Sequence, residues 1–416
     1  MIESSLIAVD WSSSVLELGV FSRSLRGYEL RSSFTLPTGM ALRPGAQGEI
    51  TCLFGADVVD EEDNEHTILF RHPGRELPWI EDTELQTELL KNFWQVLHHY
   101  LIAKGSLSEG EVASVYLIPP PQFPQSVLEK LRICAGETPL RLQSTTTSAM
   151  ALVMGAMRLD AFVEDLTNVA GSDEIRAGCF VLKDEFIEGV CFDYKTPGPH
   201  YHNIVIRDHF QVTSDKLSAR LSDFDCPQLN VLLVVENSEC SDSMKARIIA
   251  SLQQVAGAAQ CERLPWSSDV SLKLKGCAEL ASFATGQFTS PGQHEISHVY
   301  NLGVQINQSR FYPLIARELS KSGQFPATSS QSFRLSRRPV HSLRLNFCGG
   351  YSTSIAESIS LGRVVLSESE LDGITGNTYL AASIRLDTPG AGEFFLGLMP
   401  ENRILRRQSF MLPGLA

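Results

Sequence analysis

The chain is 416 residues long, 43% hydrophobic and 20% charged, with a formal net charge of −13. It is long enough to bury more than one sizeable core, and its acidic balance argues against a general role on nucleic acid or anionic membrane surfaces. Nine scattered cysteines with no C-x-x-C pair favour reduced thiols over a disulfide framework or zinc site.

Asp10 interrupts the first apolar run, so the start does not read as a signal peptide, and no apolar run is long enough to span a bilayer. A soluble, cytoplasmic chain is expected. Residues 6–10 (LIAVD), three serines at 12–14 and a second apolar run from Val15 outline a strand, a tight turn and a returning strand. The turn suits a phosphate loop but contains no glycine. A third strand is expected over 28–36, then a turn-rich acidic stretch over 38–75. Leu85, Leu89, Leu90, Phe93, Leu97 and Leu101 recur at spacings of three and four, giving one apolar face to a helix over 83–104. His98 and His99 fall on its polar side and read as solvated.

A buried strand at 112–119 is stopped by Pro119, Pro120 and Pro121, and the next helix ends at Gly136. A strand at 139–143 leads into a serine- and threonine-capped helix over 144–155. Strands at 179–183 and 190–194 form a hairpin, followed by one at 202–208. The strand at 229–235 lacks polar alternation, as expected when both faces are covered. Helices over 241–256 and 270–283 follow. Residues 290–293 read as a linker. Beyond it the only helical period lies over 312–320, and the strands at 340–348, 361–367, 378–387 and 392–399 suggest a β-sandwich. Strands alternating with helices imply an α/β half before about residue 295.

Other motifs read as surface. His200 and His202 could share one strand face, but nothing nearby completes a metal site. Basic clusters at 334–338 and 403–407 read as solvated. No G-x-S-x-G elbow accompanies Asp10 and the serines.

Several fragments fall in a familiar order. LIAVD at 6–10, VYLIPPPQF at 115–123 and LRLQSTTTSAMALVMG at 140–155 are followed by LGV at 302–304, PLIAR at 313–317 and FPA at 325–327. SLGRVVL at 360–366 and IRLDTPGAGEFFL at 384–396 come last. In this order the chain resembles the seventy-kilodalton heat-shock chaperone family nearly end to end, without that family's helical lid. The resemblance implies a two-lobed α/β actin-like (ribonuclease H-like) domain of nucleotide-binding type over 1–292, degenerate and shortened. A β-sandwich of peptide-binding type would follow over 297–416.

That family places phosphates on glycine-rich hairpins and hydrolyses the terminal one with a magnesium ion and a glutamate-oriented water. Here the first hairpin keeps Asp10 but has Ser12, Ser13 and Ser14 in place of the glycine-containing run, so these four read as a vestigial nucleotide site. The second has Glu185, Phe186 and Ile187 where small residues are needed. The position nine residues before Gly155, which holds the catalytic glutamate in the family, is Thr146, and threonine is no base near neutral pH. The adenine-clamping subdomain is too short to be present, and residues 237–240 replace its Gly-Gly loop.

The expected function is therefore binding of a polypeptide or protein partner without ATP hydrolysis and without cofactor or metal. Ile306, Phe333, Leu343 and Leu345 are the candidates for a peptide pocket, weighed against ordinary core positions. The alternatives are an ATP-dependent chaperone with unconventional phosphate loops, which alone would use ATP and magnesium, and a dedicated structural adaptor. A cleft filled by Trp11 and Phe186 would favour the first reading.

Overall fold

The computed structural model describes residues 5–11, 15–24, 27–44, 50–55, 58, 68–71, 73–121, 123–170, 174–182, 186–198, 201–213, 215–222, 229–236, 243, 246, 248–252, 260–265, 271–284, 293–298, 300–316, 327–333, 342–355, 358–371, 379–388, 391–399 and 403–412. Strands β1 (Leu6–Asp10), β2 (Val15–Ser24), β3 (Gly27–Pro37), β7 (Ala113–Ile118) and β8 (Leu140–Thr145) form a first sheet in the order β3-β2-β1-β7-β8. β2 runs antiparallel to β1, and β7 runs parallel to it. Beside this sheet β4 (Met40–Pro44), β5 (Ile50–Phe54) and β6 (Ile68–Phe70) make a small sheet of their own, followed by the short helix α1 (Pro73–Glu76).

β1 is buried along its whole length, because helices cover both faces of its sheet. On one side lie α2 (Thr83–Ala103) and α3 (Gln125–Ala135). Asp82 starts α2 by accepting the Glu84 and Leu85 N–H groups at 2.9 and 3.1 Å, and the apolar face read from the sequence buries Leu89, Leu90, Phe93, Leu97 and Leu101. On the other side lies α7 (Leu272–Ala284). The alternation of a strand sends Ile7 and Val9 to the first side and Leu6 and Ala8 to the second.

A second sheet contains β9 (Ile175–Leu182), β10 (Phe186–Gly198), β11 (Tyr201–Thr213), β12 (Val231–Glu236), β13 (Gln260–Pro265) and β14 (Gln293–His298), in the order β13-β12-β9-β10-β11-β14. The two sheets share a plan: three antiparallel strands with two parallel ones added beyond the first. Helices α4 (Ser148–Ala156) and α5 (Asp160–Ala170) pack on one face of the second sheet, and α6 (Leu217–Ser222) on the other.

The remaining strands make two four-stranded antiparallel sheets. One is β16-β15-β18-β19, from β15 (Asn301–Gln305), β16 (Phe311–Ile315), β18 (Ser342–Gly350) and β19 (Ile359–Ser367), with helix α8 (Glu368–Leu371) after β19. The other is β17-β20-β21-β22, from β17 (Ala327–Phe333), β20 (Tyr379–Thr388), β21 (Ala391–Met399) and β22 (Arg403–Met411). A stack of Phe347, Phe394 and Phe410, with ring centroids 3.9 and 4.8 Å apart, joins them.

The expected architecture, an α/β actin-like half followed by an all-β sandwich, is corrected by this arrangement. Among the described residues strand accounts for 52% and helix for 30%, distributed over five sheets and eight helices. The chain is sheet-rich throughout, and one apolar cluster runs from Ala149 through Val304 to Leu412 without a break at the expected boundary. Local readings change with it. Residues 38–75 hold the β4-β5-β6 sheet, and 311–315 form the edge strand β16 where a helical period was read. Gln293, assigned to a linker, opens β14 and pairs with Tyr201; residues 290–292 lie outside the described residues. Cys52, Cys134, Cys179, Cys277 and Cys348 carry free thiols, but Cys191 is disulfide-bonded, against the expectation of reduced thiols only. None of the helices is long and apolar enough to cross a membrane, among the described residues.

Candidate functional site

Asp10 is the last residue of β1 and is fully buried on the side of the sheet that faces α7. A carboxylate cannot be buried there alone, since the cost of desolvating an unpaired charge is prohibitive. Its partner is Lys273, in the first turn of α7, with Nζ 2.6 Å from Oδ2. The same ammonium lies 3.0 Å from Oε2 of Glu188 on β10. Lys273 and Glu188 are 3% and 2% exposed, so one buried cation bridges a carboxylate from each of the two large sheets.

The other oxygen of Glu188 is occupied as well. It accepts the hydroxyl of Ser148, the first residue of α4, and His209 Nε2 of β11 lies 2.9 Å from it. The carboxylate thus sits at a helix N-terminus, where the peptide dipoles favour negative charge. A lysine in the first turn of a helix goes against the same dipole, so Lys273 is held by its ion pairs and not by helix preference. Burial alone would lower its pKa. The charges of Asp10, Glu188 and Glu17, with the hydrogen bond to Asp10, outweigh burial and hold the ammonium well above its ordinary value.

Close packing fixes these positions. A methyl group built on Gly276 of α7 would lie 1.8 Å from the Ala151 carbonyl oxygen of α4, and one on Gly155 would lie 2.0 Å from that of Leu272. Only glycine allows the two helices to cross this closely. The thiols beside the cluster are inert. Burial, then the Glu188 charge, raises the Cys179 pKa; burial, then Asp10, raises that of Cys277. The cluster also touches the later strands: His209 packs edge-on against Tyr351 at 6.4 Å, and the Tyr351 hydroxyl lies 3.4 Å from that of Tyr300.

Of the residues expected at a vestigial nucleotide site, Asp10 stands in this cluster, and Ser12, Ser13 and Ser14 lie outside the described residues, as does Glu185. Trp11 does not fill a cleft. Alternation sends it to the opposite face of the sheet, where it stacks on Phe93 at 4.4 Å and meets Phe123 edge-on at 5.3 Å. Phe186 opens β10 and is half-buried. Thr146 follows β8, its N–H bonded to the Leu117 carbonyl at 2.9 Å, and its buried Oγ1 has no hydrogen-bond partner among the described residues.

The magnesium implied by the family resemblance does not fit these residues. A divalent cation at Asp10 would meet the Lys273 ammonium, which already pairs with Asp10 and Glu188, while the turns at 12–14 and 183–185 lie outside the described residues. Lys273, Glu188, Ser148 and His209 were not singled out from sequence. The signal for Lys273 was present: α7 is buried on nearly every side, and a lysine in such a helix requires a buried partner.

Three of the peptide-pocket candidates lie on strands of the later sheets. Leu343 and Leu345 of β18 oppose Leu366 and Val364, and Phe333 of β17 opposes Leu380. All three are half-buried at the fringe of the apolar cluster, and Phe333 meets Tyr312 edge-on at 5.8 Å. Ile306 follows β15 and is 54% exposed. His202 bonds the buried Tyr194 hydroxyl through Nδ1 at 2.7 Å, and no group of three or more His, Cys, Asp or Glu able to hold a metal occurs among the described residues. No known family model matches the chain, and no curated protein matches its sequence.

Proposed function

We propose that the chain is a chaperone-like protein that binds a polypeptide or partner protein through its later sheets and works without ATP hydrolysis. One observation carries this reading: the Lys273 ammonium lies between Asp10 and Glu188 and takes the place a divalent cation would need. Both carboxylates are committed to ion pairs, so neither is free to hold magnesium or to orient water. The order of fragments shared with the heat-shock chaperones supports polypeptide binding. Phe333, Leu343 and Leu345 at the fringe of the apolar cluster, and the exposed Ile306, supply apolar surface that an extended segment can cover.

Isothermal titration with Mg-ATP tests the first half of this reading, with no binding heat and no phosphate release expected. Micromolar binding with steady turnover would replace it with an ATP-driven chaperone. A peptide array probed with the wild type and with Leu345→Asp tests the second half. Loss of the signal in the variant is expected, and a silent array would favour a dedicated adaptor.

A further inference from the structure

α7 carries two lysines, and their surroundings differ. Lys273 bridges Asp10 and Glu188. Lys275 falls about 200° further round the helix and has no ion pair or hydrogen bond among the described residues. It is half-buried. The other half-buried lysines among the described residues are partnered: Lys91 pairs with Glu137 at 3.1 Å, and Lys130 donates to the Gln86 side chain at 2.6 Å.

A partner for Lys275 exists on its own helix, but it is taken. Glu279 lies one turn further along α7, at the i, i+4 spacing that brings opposite charges together. Arg158, which follows α4, holds it instead, with Nη1 3.0 Å from Oε2. Arg158 thus withholds the carboxylate from Lys275 and adds a positive charge of its own. Burial, then that charge, lowers the Lys275 pKa, the reverse of Lys273 among its carboxylates.

A lysine amine becomes a nucleophile where burial and a neighbouring cation disfavour its protonated form. Half-burial lets only a small reagent reach it. The Arg158 side chain is 31% exposed, and a guanidinium has more donors than one carboxylate uses, so it can also meet a phosphate from solvent. A reagent that joins a small acyl group to a phosphate suits both neighbours.

We propose that Lys275 is a covalent modification site, which takes a small acyl group from an acyl phosphate beside Arg158. The Nζ lone pair attacks the acyl carbon and forms an amide bond. The bond from that carbon to the phosphate oxygen breaks, phosphate leaves with the bonding electron pair, and the proton shed by nitrogen goes to solvent. The modified residue adjoins Gly276, where α7 crosses α4 most closely. The site is independent of the polypeptide-binding surface.

The probe is acetyl phosphate, incubated with the folded chain, with acetylation of each lysine followed by peptide mass spectrometry. Lys275 should react about tenfold faster than Lys91 and Lys130, and the difference should vanish in denaturing guanidinium. Arg158→Gln releases Glu279 to Lys275 and should slow that reaction about threefold to tenfold, with Lys91 and Lys130 of the same variant as internal references for folding. Equal rates in the folded chain, a preference that survives denaturation, or one untouched by Arg158→Gln would each overturn the proposal. The same preference with p-nitrophenyl acetate, an acetyl donor without phosphate, would overturn the choice of an acyl phosphate.

Discussion

Asp10 and Trp11 are neighbours in sequence, and they show what the two faces of the first sheet do. Trp11 enters an aromatic core with Phe93 and Phe123, where shape and contact area set the energy. Asp10 enters a seam where the two large sheets meet through Lys273 and Glu188. Apolar contacts are non-directional and tolerate small shifts, whereas a buried ammonium between two carboxylates tolerates few. The aromatic face makes the first sheet stable; the charged face fixes where the second sheet sits.

The sharpest way to break this contrast is Lys273→Met. It keeps the side-chain volume but leaves two carboxylates buried together, and the expected cost is about 3–5 kcal/mol in chemical denaturation. Adding Asp10→Asn and Glu188→Gln to that variant should recover most of the loss. No recovery would mean that Lys273 acts by packing alone. Gly276→Ala comes next, at about 1–3 kcal/mol, because the added methyl must push α4 from α7 and so move Ser148 relative to Lys273.

The smallest effect belongs to the aromatic side and depends on pH. His98 of α2 is half-buried, with its Nε2 without a partner among the described residues, where a solvated residue was expected. Burial, then the nearby His99, lowers its pKa. The unfolded chain therefore takes up a proton first, so stability is intact above about pH 6.5 and declines as pH falls below it. In a series of denaturation midpoints, His98→Gln should flatten that decline. Lys273 behaves in the opposite sense. Its raised pKa keeps its contribution whole below the ordinary lysine value and removes it only in strong alkali, so the Lys273 ammonium itself should show no transition in the range where His98 responds.

Local pattern made much of the first half legible. The spacing of Leu89, Phe93, Leu97 and Leu101 marks α2 without ambiguity, and the unbroken apolar run of Leu6 to Val9 marks a strand covered on both faces. Within the helical reading of 312–320, Leu314 and Ile315 mislead because a short apolar run also suits a helix, although Pro313 beside them argues for an edge strand. The fold class failed for a different reason. How strands group into sheets depends on pairings between distant segments, such as β11 with β14, that no local period encodes. The ionic cluster was illegible on the same ground: Asp10, Ser148, Glu188 and Lys273 come from four separate elements, and only the lysine in a largely buried helix hinted at it.

Pro313 also bears on how copies of the chain meet one another. It lies within the edge strand β16 and has no N–H to offer a further strand, so that border resists edge-to-edge growth. The border formed by β22 contains no proline and combines apolar side chains with arginines. Of these two borders, the one formed by β22 keeps its full row of N–H donors for a further strand.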